Sequence, residues 1–274
     1  MKHFAPFRRC IPILLTVLLL SGCSHAPAAV TEPPVTVPVM TEASTVPATQ
    51  PATQAPTAPP SEAPTLPPHS DLYIPGVSVE DVITCFNEVC LDAEFVNSGD
   101  PSRLQKWTDP IYYSITGIPT EDDLETLKRF TGWLNTVEGF PGIRKADDPI
   151  WTNLRIHFCS QQEMLELMGD NFYGMDGGVT FWYLEDEIYD AIICYRTDLD
   201  QQLRNSVILE EIYNGLGPIQ DTDLRPDSII YSGFSQPQAL TEMDELILRL
   251  LYHPDMKCGM TAAECEMIIR NLYY

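Results

Sequence analysis

The chain changes its hydrophobic rhythm three times. Cys10 to Leu20 is an almost unbroken apolar run behind Lys2, Arg8 and Arg9. From Ser24 to Ser70 no rhythm survives, and beyond Asp71 apolar residues return at the spacings of helices and strands. Ser78 with Asp81 three residues later predicts a helix start, the helix reaching about Asp92. Pro110 to Thr116 reads as a strand. Thr120 opens an acidic first turn, and Leu124, Leu127, Phe130, Leu134 and Val137 recur behind it at helical spacing. In Asn153 to Cys159, Leu154, Ile156 and Phe158 alternate with Arg155 and His157, the pattern of a strand with one buried face. A short helix at Gln161 to Met168 and a glycine-rich turn at Gly174 to Gly178 come next, then strands at Val179 to Leu184 and Ile188 to Arg196 around an acidic turn. Leu203 to Leu216 carries a helical stripe of Leu203, Val207, Ile208, Ile212 and Leu216. Two further helices follow Thr241 and Thr261, the second with Glu264 completing a capping box. The expected fold class is α+β, a small mixed sheet packed with helices and a largely helical C-terminal half.

The segments before Asp71 need a different account. Positive charge followed by a short apolar run is the order of a secretory signal, and the run is too short to span a bilayer permanently. It ends in Leu20-Ser21-Gly22-Cys23, which resembles the lipobox of bacterial lipoproteins. That resemblance implies a signal peptide at 1–22, a lipidated Cys23 as the mature N-terminus, and attachment to the membrane on its extracytoplasmic face. An ordinary cleaved signal with an incidental cysteine is the alternative. Twelve of the 24 prolines lie between Ser24 and Ser70, with threonine and alanine around them, and Pro-Ala-Thr-Gln occurs twice in succession from Pro47 to Gln54. Such a segment cannot pack a core. With Cys23 it forms an expected disordered linker, 23–70, that reaches about 145 Å if fully extended at about 3.1 Å per residue.

Residues 71–274 are then one acidic globular domain, long enough for a sizeable core. All but three of the 39 acids and all but three of the 16 bases lie in it, so it carries the whole formal charge of −23. Nucleic acid is excluded as a partner, because phosphate recognition needs clustered Lys and Arg. A cationic peptide, a basic partner or metal ions fit the charge better, and so does plain solubility. The six domain cysteines, Cys85, Cys90, Cys159, Cys194, Cys258 and Cys265, permit disulfides or buried thiols and contain no C-x-x-C pair. No nucleophile elbow, phosphate loop or H-E-x-x-H occurs. His157 and His253 are the domain's only histidines, and a nucleophile pair of His157 with Cys159 or a distant cysteine stays open. Asp221, Asp223 and Asp227, and likewise Glu185, Asp186 and Glu187, are oxygen-rich enough for calcium but lack EF-hand spacing. No other cofactor is expected.

The most informative stretch is Leu209-Glu210-Glu211-Ile212-Tyr213-Asn214-Gly215-Leu216-Gly217-Pro218-Ile219-Gln220-Asp221. Together with Ser228 to Tyr231, Leu240 to Asp244, Leu250 to Tyr252 and Gly259 to Glu264, it resembles a family of uncharacterised secreted bacterial proteins that is itself similar to zincin metalloproteases. The resemblance runs from about Trp107 to Glu264. Metzincins carry H-E-x-x-H-x-x-G-x-x-H, and here the matching positions read Glu210, Glu211, Asn214, Gly217 and Gln220. The base glutamate and the turn glycine are kept at Glu211 and Gly217; all three histidines are gone, and Ile230 stands where the related enzymes have a methionine. Asn and Gln amides are poor zinc donors, so no catalytic metal is expected.

Three readings of Glu210, Glu211 and Asn214 compete. They are solvent-facing residues opposite the apolar stripe, or, with Gln220 and Asp221, they line a surviving groove for a peptide, envelope protein or glycan. In the third reading Glu211 or Glu210 is a general acid or base of a zinc-independent hydrolase, working with a second carboxylate that the sequence does not identify.

Overall fold

The computed structural model describes Val17–Leu18 and residues 70–91 and 102–273. The expected lipidation position, Cys23, and the expected linker up to residue 69 lie outside the described residues. The expected mixed sheet is present. Its strands are β1 (Val17–Leu18), β2 (Lys106–Trp107), β3 (Ile111–Gly117), β4 (Ile143–Lys145), β5 (Leu154–Cys159), β6 (Gly177–Leu184) and β7 (Glu187–Arg196). Their order is β1-β6-β7-β5-β3-β4, with β2 pairing parallel to the first residues of β7. The strands β4, β3, β5 and β7 run parallel, whereas β6 is antiparallel to β7 and β1 is antiparallel to β6. A two-residue turn, Glu185 and Asp186, joins β6 to β7, and both residues have positive φ, as a tight hairpin requires.

Among the described residues the α-helices are α1 (Val79–Leu91), α2 (Glu121–Leu134), α3 (Gln161–Met168), α4 (Gln201–Asn214), α5 (Glu242–Tyr252) and α6 (Ala262–Tyr273); α2, α3 and α4 pack against the sheet, and α5 and α6 pack against α1. The starts read from the sequence are where hydroxyl caps stand. Thr120, Ser160 and Thr241 each close a capping box with the acid three residues on. The short strands β2 and β4 escaped the pattern reading, because two or three residues cannot display a period.

Alternation along β5 sorts the sheet's faces. Leu154, Ile156 and Phe158 enter the main core with Leu127 and Phe130 of α2 and Ile208 and Ile212 of α4. Cys159 and Cys194 point the other way, into a smaller cluster with Met164 and Phe172 beneath α3. Both faces are therefore covered here, and His157 is half-buried rather than exposed. All six domain cysteines are free thiols.

Polar anchors fix the helices. Asp123 of α2 is fully buried, accepts from Gln201 Nε2 at 2.7 Å and pairs with Arg204 of α4. Lys106 is buried as well, its Nζ donating at 2.8 Å to Leu251 O and to Met256 O, and burial pushes its pKa down to about 8. The carbonyls left over where α4 ends are taken up by Trp107 Nε1 on Gly215 O and Tyr252 Oη on Leu216 O, both at 2.8 Å. Tyr273, near the end of α6, donates its hydroxyl to Val77 O at 3.0 Å or Ile74 O at 3.1 Å and accepts from Ile74 N at 3.3 Å. Removing one member of a buried ion pair strands the other, so Asp123→Ala should cost about 3–5 kcal/mol. Urea unfolding would read this as a lower midpoint at unchanged slope.

Candidate functional site

Helix α4 begins at Asp200, whose side chain accepts from Leu203 N at 3.0 Å, and runs between the sheet and the other helices. Val207, Ile208, Leu209, Ile212 and Tyr213 are all buried, so apolar contact extends well beyond the stripe read from the sequence. Only Leu203 of that stripe is half-buried. The solvent-facing reading is overturned: Glu211 is 2 % exposed and Asn214 1 % exposed, and Glu210 is half-buried.

The first residue of β6 explains how Glu211 came inside. A Cβ on Gly177 would lie 2.4 Å from Val207 Cγ1 and 3.0 Å from Glu211 Oε1, so strand and helix meet at a distance that only glycine permits. Beside this contact is a recess of about 20 Å³ whose walls include Asp176, Glu210, Glu211, Phe234 and Ser235. That volume is room for a water molecule or two. Glu211 Oε2 is buried there and makes no hydrogen bond within the protein.

The electrostatics follow from this geometry. Loss of water raises the Glu211 pKa well above the ordinary carboxylate range, and the nearby Asp221 and Asp176 carboxylates add to the rise. Glu210 is raised by desolvation first and then by Glu211, Asp221 and Asp176. Asp176 itself is held by Arg196, Nη1 to Oδ1 at 3.3 Å. Asp176 was missed in the sequence because it sits at the end of the glycine turn, far along the chain from α4, with no motif around it.

The remaining sequence candidates separate. Asn214 Nδ2 donates to Asp221 Oδ1 at 3.4 Å, outside the walls of the recess. Gln220 is tied to α1 through its backbone N–H on Val89 O at 3.2 Å. Gly217 has φ +129, and a Cβ there would lie 2.4 Å from Gln105 O, so the chain turns at the glycine the pattern singled out. Ile230 is buried, and its carbonyl accepts from Thr222 N at 2.8 Å. The two acidic loops do not gather: Asp227 accepts from Arg225 at 3.3 Å and Asp223 from Ser232 Oγ. Among the described residues no group of three or more His, Cys, Asp and Glu side chains is placed to hold a metal ion. A zinc centre at Glu210, Asn214 and Gln220 does not fit, because the three side chains are not gathered at one cavity and two of them are amides.

These features define a mixed α/β domain in which the first residue of β6 packs against a buried acid whose pKa is raised. The chain belongs to the family described as Protein of unknown function (DUF2927), whose sequence profile matches residues 80–271. No curated protein matches the chain by sequence.

A carboxyl raised in the folded state stabilises the fold below its unfolded pKa, and that stability is lost as pH rises toward the folded value. Between about pH 5 and pH 8 the Glu211 contribution should therefore decline with rising pH. Thermal unfolding across this range should show Glu211→Gln losing less stability than the parent chain as pH rises. Equal slopes for the two proteins would contradict a neutral Glu211.

Proposed function

We propose that the chain is a bacterial surface lipoprotein, anchored through Cys23 and held off the membrane by its Pro/Thr-rich linker, whose degenerate zincin-like domain binds an extended peptide of an envelope protein without cleaving it. The observation that carries this reading is the edge of β6. Val17 and Leu18, from the segment read as a removable signal, pair antiparallel with it, Val17 opposite Phe181 and Leu18 opposite Thr180. An edge that accepts an extended segment by main-chain pairing can accept another, and this is a recurring mode of peptide capture. The same strand starts at Gly177, against Glu211, so a peptide there runs past the position that the family resemblance assigns to the base. A recess of one or two waters does not admit a scissile carbonyl, and the Asn214 and Gln220 amides replace the histidines of a zinc enzyme. Both features favour binding over turnover.

Hydrogen exchange tests the edge. Removing residues 1–22 should speed exchange of the β6 amides, and excess peptide spanning residues 14–20 should restore protection; no change in either step would sink the proposal. Elemental analysis of the protein after dialysis against zinc or calcium should find no stoichiometric metal, and retained zinc would revive proteolysis.

A second reading has its own observation. Asp176, held by Arg196, supplies the second carboxylate beside Glu211, and a desolvated acid with a second carboxylate nearby is how general acids are made. If the protein hydrolyses a peptide or cell-wall glycan, Glu211→Gln should lower turnover by about 100-fold and leave binding intact.

A further inference from the structure

A second, roomier cavity lies at the other side of the sheet's parallel half. The chain leaves β3 through α2 to reach β4 on one flank, then crosses to β5 on the opposite flank of β3. The order of connection therefore reverses between β3 and β5. Helix α2 packs in the main core on one face, and α3, which follows β5, covers the other face through Met164. In open parallel sheets such a reversal splays the loops beyond the strands' carboxyl ends and leaves a ligand crevice. Here that crevice exists, with a volume of about 270 Å³.

Its walls come from the ends of both strands and from α3. Thr116 and His157 are register partners across β3 and β5, and Thr116 Oγ1 and His157 Nδ1 share a hydrogen bond of 2.6 Å. This bond fixes the imidazole plane and leaves Nε2 for another partner. Gly117 ends β3 at φ +84, where a Cβ would lie 1.8 Å from Phe158 O, so the backbone hugs the neighbouring strand and keeps the mouth open. Leu167 lines one wall as an apolar surface. The charged side chains on the lining are Glu163 and Glu166, both acids. Hydrogen bonds from Ser160 N and Oγ, each 2.8 Å, hold Glu163 ionised by lowering its pKa. Burial, reinforced by Arg155, lowers the His157 pKa, so near neutral pH the ring does not repel a cation.

We propose that this switch-point crevice binds a primary ammonium on an aliphatic stem, the chemistry of a lysine side chain, with Glu163 and Glu166 taking the charge, Thr116 and His157 supplying hydrogen bonds and Leu167 covering the stem. An anion meets two carboxylates with no lysine or arginine on the lining, and a wholly apolar ligand leaves the hydroxyl and imidazole unmatched. The space suits one side chain rather than a folded partner. This site is distinct from the β6 edge and does not rest on the reading proposed for it.

The test uses the full chain in detergent with ¹³C-labelled histidine, the His157 signal being assigned by its loss in His157→Asn. The probes are Nα-acetyl-lysine amide and its uncharged counterpart Nα-acetyl-norleucine amide. The lysine probe should shift the His157 signal saturably with a midpoint on the order of millimolar, and the norleucine probe should not. The double variant Glu163→Gln, Glu166→Gln keeps a capping-box residue at the start of α3 and should raise the midpoint about tenfold or more. No shift, an equal shift by norleucine, or an unchanged midpoint in a folded double variant would each overturn the proposal. Zinc retention or peptide cleavage at Glu211 would refute the β6 reading and leave this titration as it stands.

Discussion

Helix α4 can lie where it does only if Glu211 gives up its charge. An isolated carboxylate carried from water into a packed interior would cost more than most domains have in total stability. Burial therefore raises the Glu211 pKa and favours its neutral form, and its Oε2 makes no hydrogen bond within the protein. Much else is arranged around this helix: Gly177 approaches it without a side chain, Arg204 fastens it to α2, and Trp107 and Tyr252 close its far end.

Two regions thereby divide the chemistry. Around Glu211 polar groups are drawn in and little space is left, which suits a backbone edge that recognises shape and direction. At the ends of β3 and β5 the polar groups stay wet, with open volume between them. The net charge of −23 favours cationic company at either place. Family membership alone leaves function open, because activity belongs to a site rather than to a fold.

Much of the fold was legible in the chain because each signal had a local cause. Thr120, Ser160 and Thr241 mark helix starts through hydrogen bonds to residues three positions away. The β5 alternation exposes a sheet face directly. The site was legible only in part. Glu211 and Gly217 stood out through the family resemblance, yet burial of Glu211 depends on Gly177, which belongs to a strand more than thirty residues earlier. Asp176 and the crevice between Thr116 and His157 arise from register and crossover order, which no window of sequence contains. His157 looked like the polar face of an ordinary strand, and the structure places it, half-buried, in the crevice lined by Thr116 and α3.

The Tyr273 clasp on Ile74 and Val77 has a mechanical meaning. Chain entering the domain near residue 70 meets this joint and the Tyr73–Tyr273 ring contact, centroids 5.4 Å apart, before it meets the sheet. A pull on that entering chain loads α6 and the start of α1 first. The sheet, with β6 and the crevice at its parallel strands, stays outside that first line of force, so tension entering near residue 70 is taken up before it reaches the sheet.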